Sequence, residues 1–224
     1  MAVFSPNLTS RLIVKVAAKK CRIADFRFLE IGCGSGFITK ELLLDGRLDG
    51  ESCWLSDVSA EAIASAQRNL QGLVHPERIK IGSCLTPWSD LRFDLIVSDV
   101  SGISEEIAQA SDWYLNVPSN CGLDGLTNTL EVLHTAAALL RELGSLVFPV
   151  ISLSDVTRLE SEMASEFGQV EIFEETKWPL PLNLAMNTSL LERLCDEGKI
   201  SIERKYGRII AKTSVAVCSR PIKS

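Results

Sequence analysis

The sequence predicts an α/β fold built on a mostly parallel sheet. Three observations carry that prediction. Short apolar runs alternate with longer amphipathic ones along the chain, the pattern of repeated βαβ units. The first apolar run stops at a glycine-rich turn, "EIGCGSGF", which opens a helix. The runs ending near residues 57 and 99 each close on a carboxylate, as strands do where a ligand sits at the carboxyl edge of a parallel sheet.

The elements follow in order. "SRLIVKVAAKK" (10–20) has the apolar spacing of an amphipathic helix. "FRFLEI" (26–31) is the first strand and stops at Gly32, and "GFITKELLLDG" (36–46) is a helix that ends at Gly46. "SCWLSDV" (52–58) is the second strand. "SAEAIASAQRNLQG" (59–72) is a helix with Ser59 as N-cap, Glu61 in its first turn and Gly72 at its end. "RIKIGSC" (78–84) and "FDLIVSDV" (93–100) are the third and fourth strands, followed by an irregular stretch over 101–125 that holds Trp113, Tyr114 and Pro118. "LTNTLEVLHTAAALLREL" (126–143) predicts a helix closed by Gly144, and "SLVFPVI" (145–151) the fifth strand. "SDVTRLESEMASEFG" (154–168) predicts a helix with Ser154 as N-cap, and "QVEIFEET" (169–176) the sixth strand. "RIIAKTSVAVCSR" (208–220) is the last strand. The crossovers are expected to be right-handed.

Between the last two strands lies a block that a hairpin would not need. It carries a helix over 188–197 and a short extended piece over 199–203. The chain is therefore read as one domain, 1–224, with a small insertion at 178–207.

Bulk properties narrow the function. A chain of 224 residues with 46% hydrophobic and 23% charged residues buries a core without disulfide or metal staples. A net charge of −6 argues against nucleic acid as a partner, since a broad footprint needs a basic face. The two local basic groups, Lys15, Lys19, Lys20 and Arg22, then Arg204, Lys205, Arg208 and Lys212, read as solvated faces. Seven Cys without a Cys-x-x-Cys pair suggest reduced thiols and a cytoplasmic setting. His75 and His134 stand far apart, so no metal is expected. No signal-peptide pattern and no apolar run of ~18–20 residues is found, so no membrane association is expected.

The glycine turn is spaced G-x-G-x-G (Gly32, Gly34, Gly36), whereas the dinucleotide fingerprint is G-x-G-x-x-G. Its glycines allow a sharp turn and close approach of the backbone to a ligand. Glu30 just before them would repel a pyrophosphate but suits a cationic cofactor that bears an amino acid. Asp57, at the end of the second strand, can accept both hydroxyls of a ribose, and Ser83 and Cys84 can edge an adenine.

"FLEIGCGSGFIT" followed by "LSDVSAEAIASAQRNL" resembles the first two motifs of the class I S-adenosylmethionine-dependent methyltransferases. The resemblance covers nearly the whole chain in element order. It implies a Rossmann-like sheet of seven strands, mostly parallel with an antiparallel last strand and helices on both faces. It implies S-adenosyl-L-methionine as cofactor, held by Glu30, Gly32, Cys33, Gly34, Ser35, Gly36, Asp57, Val58, Ser83, Cys84 and Asp99. A finer resemblance is to the release-factor glutamine methyltransferases, the HemK group. "FSPNLTSRLIVKV" is similar to that group's segment ahead of the glycine turn, which carries a Pro and a hydroxyl or acid near the substrate. "GLDGLTNTLEVLHTAAALLRELGSLVFPV" is similar to its Gly-Asp-Gly-Leu segment.

In that group the fourth strand ends in Asn-Pro-Pro-Tyr; here Asp99, Val100, Ser101 and Gly102 stand in those places. Asp99 still offers an acceptor, which makes it the candidate catalytic residue. The proline pair and the stacking aromatic are missing, which counts against a planar amide as substrate. Methyl transfer from a sulfonium is an in-line displacement, so the protein supplies proximity, alignment and a place for the proton. Trp113, Tyr114 and Trp178 are candidates for packing or recognition near the substrate, His134 for a core or boundary position, and Cys33 for a small filler in the turn.

The sequence thus points to a methyltransferase acting on a nitrogen or oxygen of a protein side chain or a small molecule. Two other functions stay open: a non-catalytic relative that binds a partner through the same fold, and an NAD-dependent dehydrogenase. The insertion is the expected specificity element.

Overall fold

The computed structural model describes residues 6–22, 25–83, 86–114 and 121–222. Its elements in chain order are α1 (Leu8–Ala17), β1 (Phe28–Ile31), α2 (Phe37–Leu44), β2 (Cys53–Asp57), α3 (Ala60–Asn69), β3 (Ile79–Ile81) and β4 (Phe93–Ser98). Then come α4 (Glu105–Ala110), α5 (Thr127–Leu139), β5 (Leu140–Ile151), α6 (Val156–Glu166) and β6 (Phe167–Pro179). The chain closes with α7 (Leu182–Ala185), α8 (Thr188–Asp196), β7 (Glu203–Lys205) and β8 (Arg208–Pro221).

The strands order as β3-β2-β1-β4-β5-β8-β6, and the short β7 also pairs with β8. β1 to β5 are joined by parallel pairs, while β8 runs antiparallel between β5 and β6. This is the predicted Rossmann-like α/β sheet with one short strand more than the seven read from sequence. The order reverses between β1 and β4, which opens a crevice at the carboxyl ends of those strands.

The central strands read as continuous apolar runs because both their faces are covered. Phe28, Leu55, Leu95 and Val97 pack on Ile13 and Val16 of α1, Ile38 and Leu42 of α2, and Ile63 and Ala66 of α3. Leu29, Ile31, Ile96, Leu146 and Phe148 pack on Leu130, Leu133 and Ala136 of α5 and on Leu159 and Met163 of α6. A third core joins Ile103 and Ile107 to Leu153, Leu184 of α7, Leu191 and Leu194 of α8, and Ile209 and Ala211 of β8. Thr213 of β8 pairs with Ile151, the last residue of β5, so residues 208–212 run roughly 17 Å past the carboxyl end of β5. The elements of 180–207 stand on that overhang, beside the crevice.

Several boundaries differ from the sequence reading. The first helix starts earlier, at Leu8, because Asn7 caps it: its side chain accepts from the Ser10 N–H in a capping box. α5 ends at Leu139, not 143, because Leu140 turns extended and pairs with Phe93. Gly144 lies inside β5, where an added Cβ would meet the Phe93 carbonyl oxygen at 2.9 Å. The N-cap of α6 is Asp155, whose side chain accepts from the Arg158 N–H, while the Ser154 hydroxyl donates back to the Ile151 carbonyl. β3 is shorter than read, and β6 is longer, with an irregular register between Phe173 and Thr176 where Glu174 takes φ +55°. Within 178–207 the helix is α8, and the extended piece is displaced to β7.

Candidate active site

A cavity of about 370 Å³ opens at the crevice. Of the residues predicted for the site, Glu30, Gly32, Cys33, Gly34, Ser35, Asp57, Val58, Ser83 and Asp99 all line it. Cys84 lies outside the described residues. Gly36 is placed away from the lining: it is the N-cap of α2, with φ +73°, and an added Cβ would meet Leu70 Cδ1 at 2.8 Å. Its smallness serves the contact between the glycine turn and α3.

Glu30 at the end of β1 is buried and does more than face the cavity. Its carboxylate accepts the backbone N–H of Thr39 at 3.0 Å and also the Thr39 hydroxyl. Because Gly36 offers no side-chain cap, Glu30 satisfies an open N–H in the first turn of α2 from across the turn. Burial raises the Glu30 carboxyl to about 8; its bonds to Thr39 lower it in part, and the nearby Asp99 and Asp57 push it up.

Asp57 at the end of β2 ties two loops together. One carboxylate oxygen accepts the Gly34 N–H at 2.9 Å and the other the Ser59 N–H at 2.9 Å. Gly32, at φ +66°, has room for no side chain, since a Cβ would stand 2.8 Å from Val100 Cγ1. Cys33 is buried in the turn, and burial pushes its thiol well above the ordinary range, which leaves it a filler. Ser83 donates to Glu131 of α5 at 2.9 Å, and both line the cavity.

Asp99 follows β4, and its N–H donates to the Ile31 carbonyl. Its carboxylate accepts the Ser10 hydroxyl at 2.6 Å, and burial raises its carboxyl despite that bond. α1 therefore presents its first turn to the site, with Pro6, Asn7, Thr9 and Ser10 in the lining. Tyr114 also lines the cavity; its phenol bonds Ser101, and burial raises it to about 12. The Cys121 thiol reaches the same Ser101 hydroxyl at 2.7 Å.

Sequence reasoning named neither Ser10, Asn128 nor Glu131 as lining residues. The resemblance of "FSPNLTSRLIVKV" implied a hydroxyl near the substrate, and the Asn7-x-x-Ser10 spacing of a capping box could have placed it. Asn128 and Glu131 gave no local signal. His134, expected at a core or boundary position, is exposed on α5 and faces Glu162 of α6 at 3.3 Å. The amino-terminal lysines pair with β6: Lys15 and Lys19 with Glu174, Lys20 with Glu171.

The charged side chains of the described lining are Glu30, Asp57, Asp99 and Glu131, and it holds no Lys, Arg or His. A cavity so lined favours a cationic ligand and disfavours a phosphate. Among the described residues no group of three or more His, Cys, Asp or Glu is placed to hold a metal, and no helix is long and apolar enough to cross a membrane.

Residues 2–100 match the family model of the methyltransferase small domain. Comparison with curated proteins gives no match. Among solved structures, the YcgJ protein of Bacillus subtilis is similar at a TM-score of 0.57 and 14% identity, covering 95% of this chain and 98% of that one. Precorrin 8w decarboxylase of Methanobacterium thermoautotrophicum is similar at 0.55 and 17%, covering 97% and 93%. The ribosomal protein L11 methylase of Lactobacillus delbrueckii subsp. bulgaricus is similar at 0.53 and 16%, covering 95% and 80%. Identities this low show the fold alone. The matched segment is that of a methyltransferase small domain, and the fold is shared with these structures.

Proposed function

We propose that the chain, an S-adenosylmethionine-dependent methyltransferase by its matched segment and its fold, methylates a nitrogen or oxygen of a protein side chain or a small molecule. The observation that carries this reading is the lining charge. Four acidic side chains and, among the described residues, no base line a cavity that reaches across the glycine turn. S-adenosylmethionine carries a sulfonium and an ammonium and fits that field; the pyrophosphate of a nicotinamide cofactor is repelled by it. The dehydrogenase alternative therefore loses its support.

Bound there, S-adenosylmethionine supplies an activated methyl group for in-line displacement. The residues of the chain divide the remaining work. The open turn at Gly32, Gly34 and Ser35 lets the backbone approach the methionine part, with Cys33 and Val58 as apolar lining and Glu30 as the acid that faces its charge. Asp57 already holds two backbone N–H groups, and its free lone pairs suit ribose hydroxyls; Ser83 edges the adenine. Asp99, fixed by Ser10, accepts the N–H or O–H of the acceptor and takes up its proton as the new bond to carbon forms.

The finer reading is the HemK-like branch, supported by the segment from Gly122 through α5 into β5. The Asp99-Val100-Ser101-Gly102 sequence favours an acceptor other than a planar glutamine amide. We read 1–224 as one cytoplasmic domain in which 178–207 selects the acceptor. Calorimetry with S-adenosylmethionine and with NADH tests the cofactor; binding of NADH alone would overturn the reading. Transfer of labelled methyl to fractionated cell extract tests the activity. Cofactor binding with no detectable transfer would favour the non-catalytic relative instead.

A further inference from the structure

We infer that Tyr114 forms the wall against which the methyl acceptor lies, and that the end of β6, where the chain enters the insertion, sets its position through the Trp113–Trp178 contact. The inference rests on the methyltransferase reading and names the acceptor end of the same cavity. The sheet order divides that cavity. The glycine turn, Asp57 and Ser83 stand at the ends of β1, β2 and β3 and provide the cofactor half. Asp99, Ser101, Gly102, Tyr114 and Ile151 stand beyond the switch point, towards β4 and β5.

Tyr114 is held by two kinds of contact. On the cavity side its phenol is fixed by Ser101, which also takes the Cys121 thiol. It also packs against the third core, as do Trp113 and Trp178. Trp113 meets Trp178 edge to face, with centroids 5.7 Å apart and planes at 68°. The Trp178 indole N–H donates to the Thr213 hydroxyl at 3.0 Å, and Thr213 pairs with Ile151, itself part of the lining. A continuous run of contacts therefore leads from the end of β6, at the entry to the insertion, to the wall of the site.

The chemistry of this end describes the acceptor. The Tyr114 ring offers apolar surface, Asp99 an acceptor, and Ser10 and Ser101 hydroxyls. With no cation in the described lining, a carboxylate or phosphate has nothing to meet. The fitting acceptor carries its N–H or O–H on an aromatic or aliphatic body and is neutral or positively charged near the reacting atom.

The test uses the full chain saturated with S-adenosylhomocysteine and benzylamine as a probe, read by saturation-transfer NMR. The wild type gives a signal, Tyr114→Phe retains it, and Tyr114→Ala lowers it at least about fivefold. Trp178→Ala, which removes no lining atom, lowers it less, and Trp178→Phe restores it. Once an accepting fraction is in hand, Tyr114→Ala raises apparent KM about tenfold with kcat within about threefold. All variants bind S-adenosylmethionine within about twofold of wild type by calorimetry. Absence of a benzylamine signal from the wild type, or an unchanged one in Tyr114→Ala, overturns the inference. So does parallel loss of cofactor affinity in Tyr114→Ala, which would put the ring at the cofactor half. Failure of the wild type to bind either adenosyl compound would instead overturn the methyltransferase reading.

Discussion

Binding of the cofactor should release a proton from Glu30. Burial holds this carboxyl at about 8, so at pH 7, before a cofactor binds, it is roughly nine-tenths protonated. It lies in the cavity lining beside the glycine turn, where the proposed function puts the methionine part. A cation arriving within ~4–6 Å favours the charged form and typically lowers a carboxyl by about 1–3 units. Lowering Glu30 by two units changes its occupancy at pH 7 from about 0.9 to about 0.1, a release of roughly 0.8 proton. At pH 5 the group stays protonated in both states, and at pH 9 it is ionised in both, so the release falls to roughly 0.1 at either extreme. Calorimetric titration with S-adenosylmethionine in phosphate and in Tris reads this directly, because the difference in buffer ionisation heat multiplies the number of protons exchanged. Asp99 is also raised by burial and can add to the signal. Glu30→Gln isolates the Glu30 share, since it keeps an oxygen for the Thr39 N–H and removes the proton. Equal heats in the two buffers at pH 7, or a release unchanged in Glu30→Gln, would refute the reasoning.

The same group governs stability of the empty protein. An unfolded Glu ionises near 4.5, whereas the folded one holds its proton to about 8, so the contribution of Glu30 is complete below 4.5 and is lost as pH rises through 8. Glu30→Gln should therefore gain in melting temperature relative to wild type between pH 5 and 9; a constant difference across that range contradicts the assignment. Gly32→Ala forces a side chain into φ +66° and against Val100, and should cost about 1–3 kcal/mol in urea unfolding with a marked loss of cofactor affinity. Asp99→Asn keeps the shape and the Ser10 partner but cannot take a proton. Methyl transfer should fall about 10²–10⁴-fold with cofactor affinity little changed, and an unaltered kcat would reduce Asp99 to a structural role. Leu184→Ala in the third core should cost about 2–5 kcal/mol while sparing cofactor binding; loss of both together would show that the insertion is not separable from the cofactor half.

Local signals account for what could be read in advance. The glycine turn, the acids at the ends of β1, β2 and β4 and the alternation of apolar runs are each set within a few residues, and all nine described lining residues among those predicted come from such signals. Where tertiary pairing competes with a local preference, the sequence misleads. The "LLREL" stretch favours a helix, but Leu140 gains a sheet partner in Phe93 and the chain turns extended there. Ser154 and Asp155 are both good caps, and the choice falls to Asp155 because the Ser154 hydroxyl is taken by the end of β5.

The partners in long-range contacts left no local trace, even where one of the residues did. Ser10 and Asp99 are 89 residues apart in sequence, and Ser83 and Glu131 are 48 apart. Tyr114 reaches the cavity because the third core carries it there. Glu30 is the instructive case, because it was expected at the site and lines the cavity, while its bond to Thr39 was not anticipated. A turn that needs glycine at Gly36 for its contact with α3 surrenders the side-chain cap of α2, and the nearest acid must supply that bond. The carboxyl group that lines the cavity is thus also the one that anchors the helix after the glycine turn. Any cation that ionises Glu30 strengthens its bond to Thr39, since a carboxylate is the better acceptor. Cofactor binding and ordering of the turn are then two readings of one charge. Amide exchange at Thr39 should slow on addition of S-adenosylmethionine in wild type and change far less in Glu30→Gln; equal protection in the two would separate the roles.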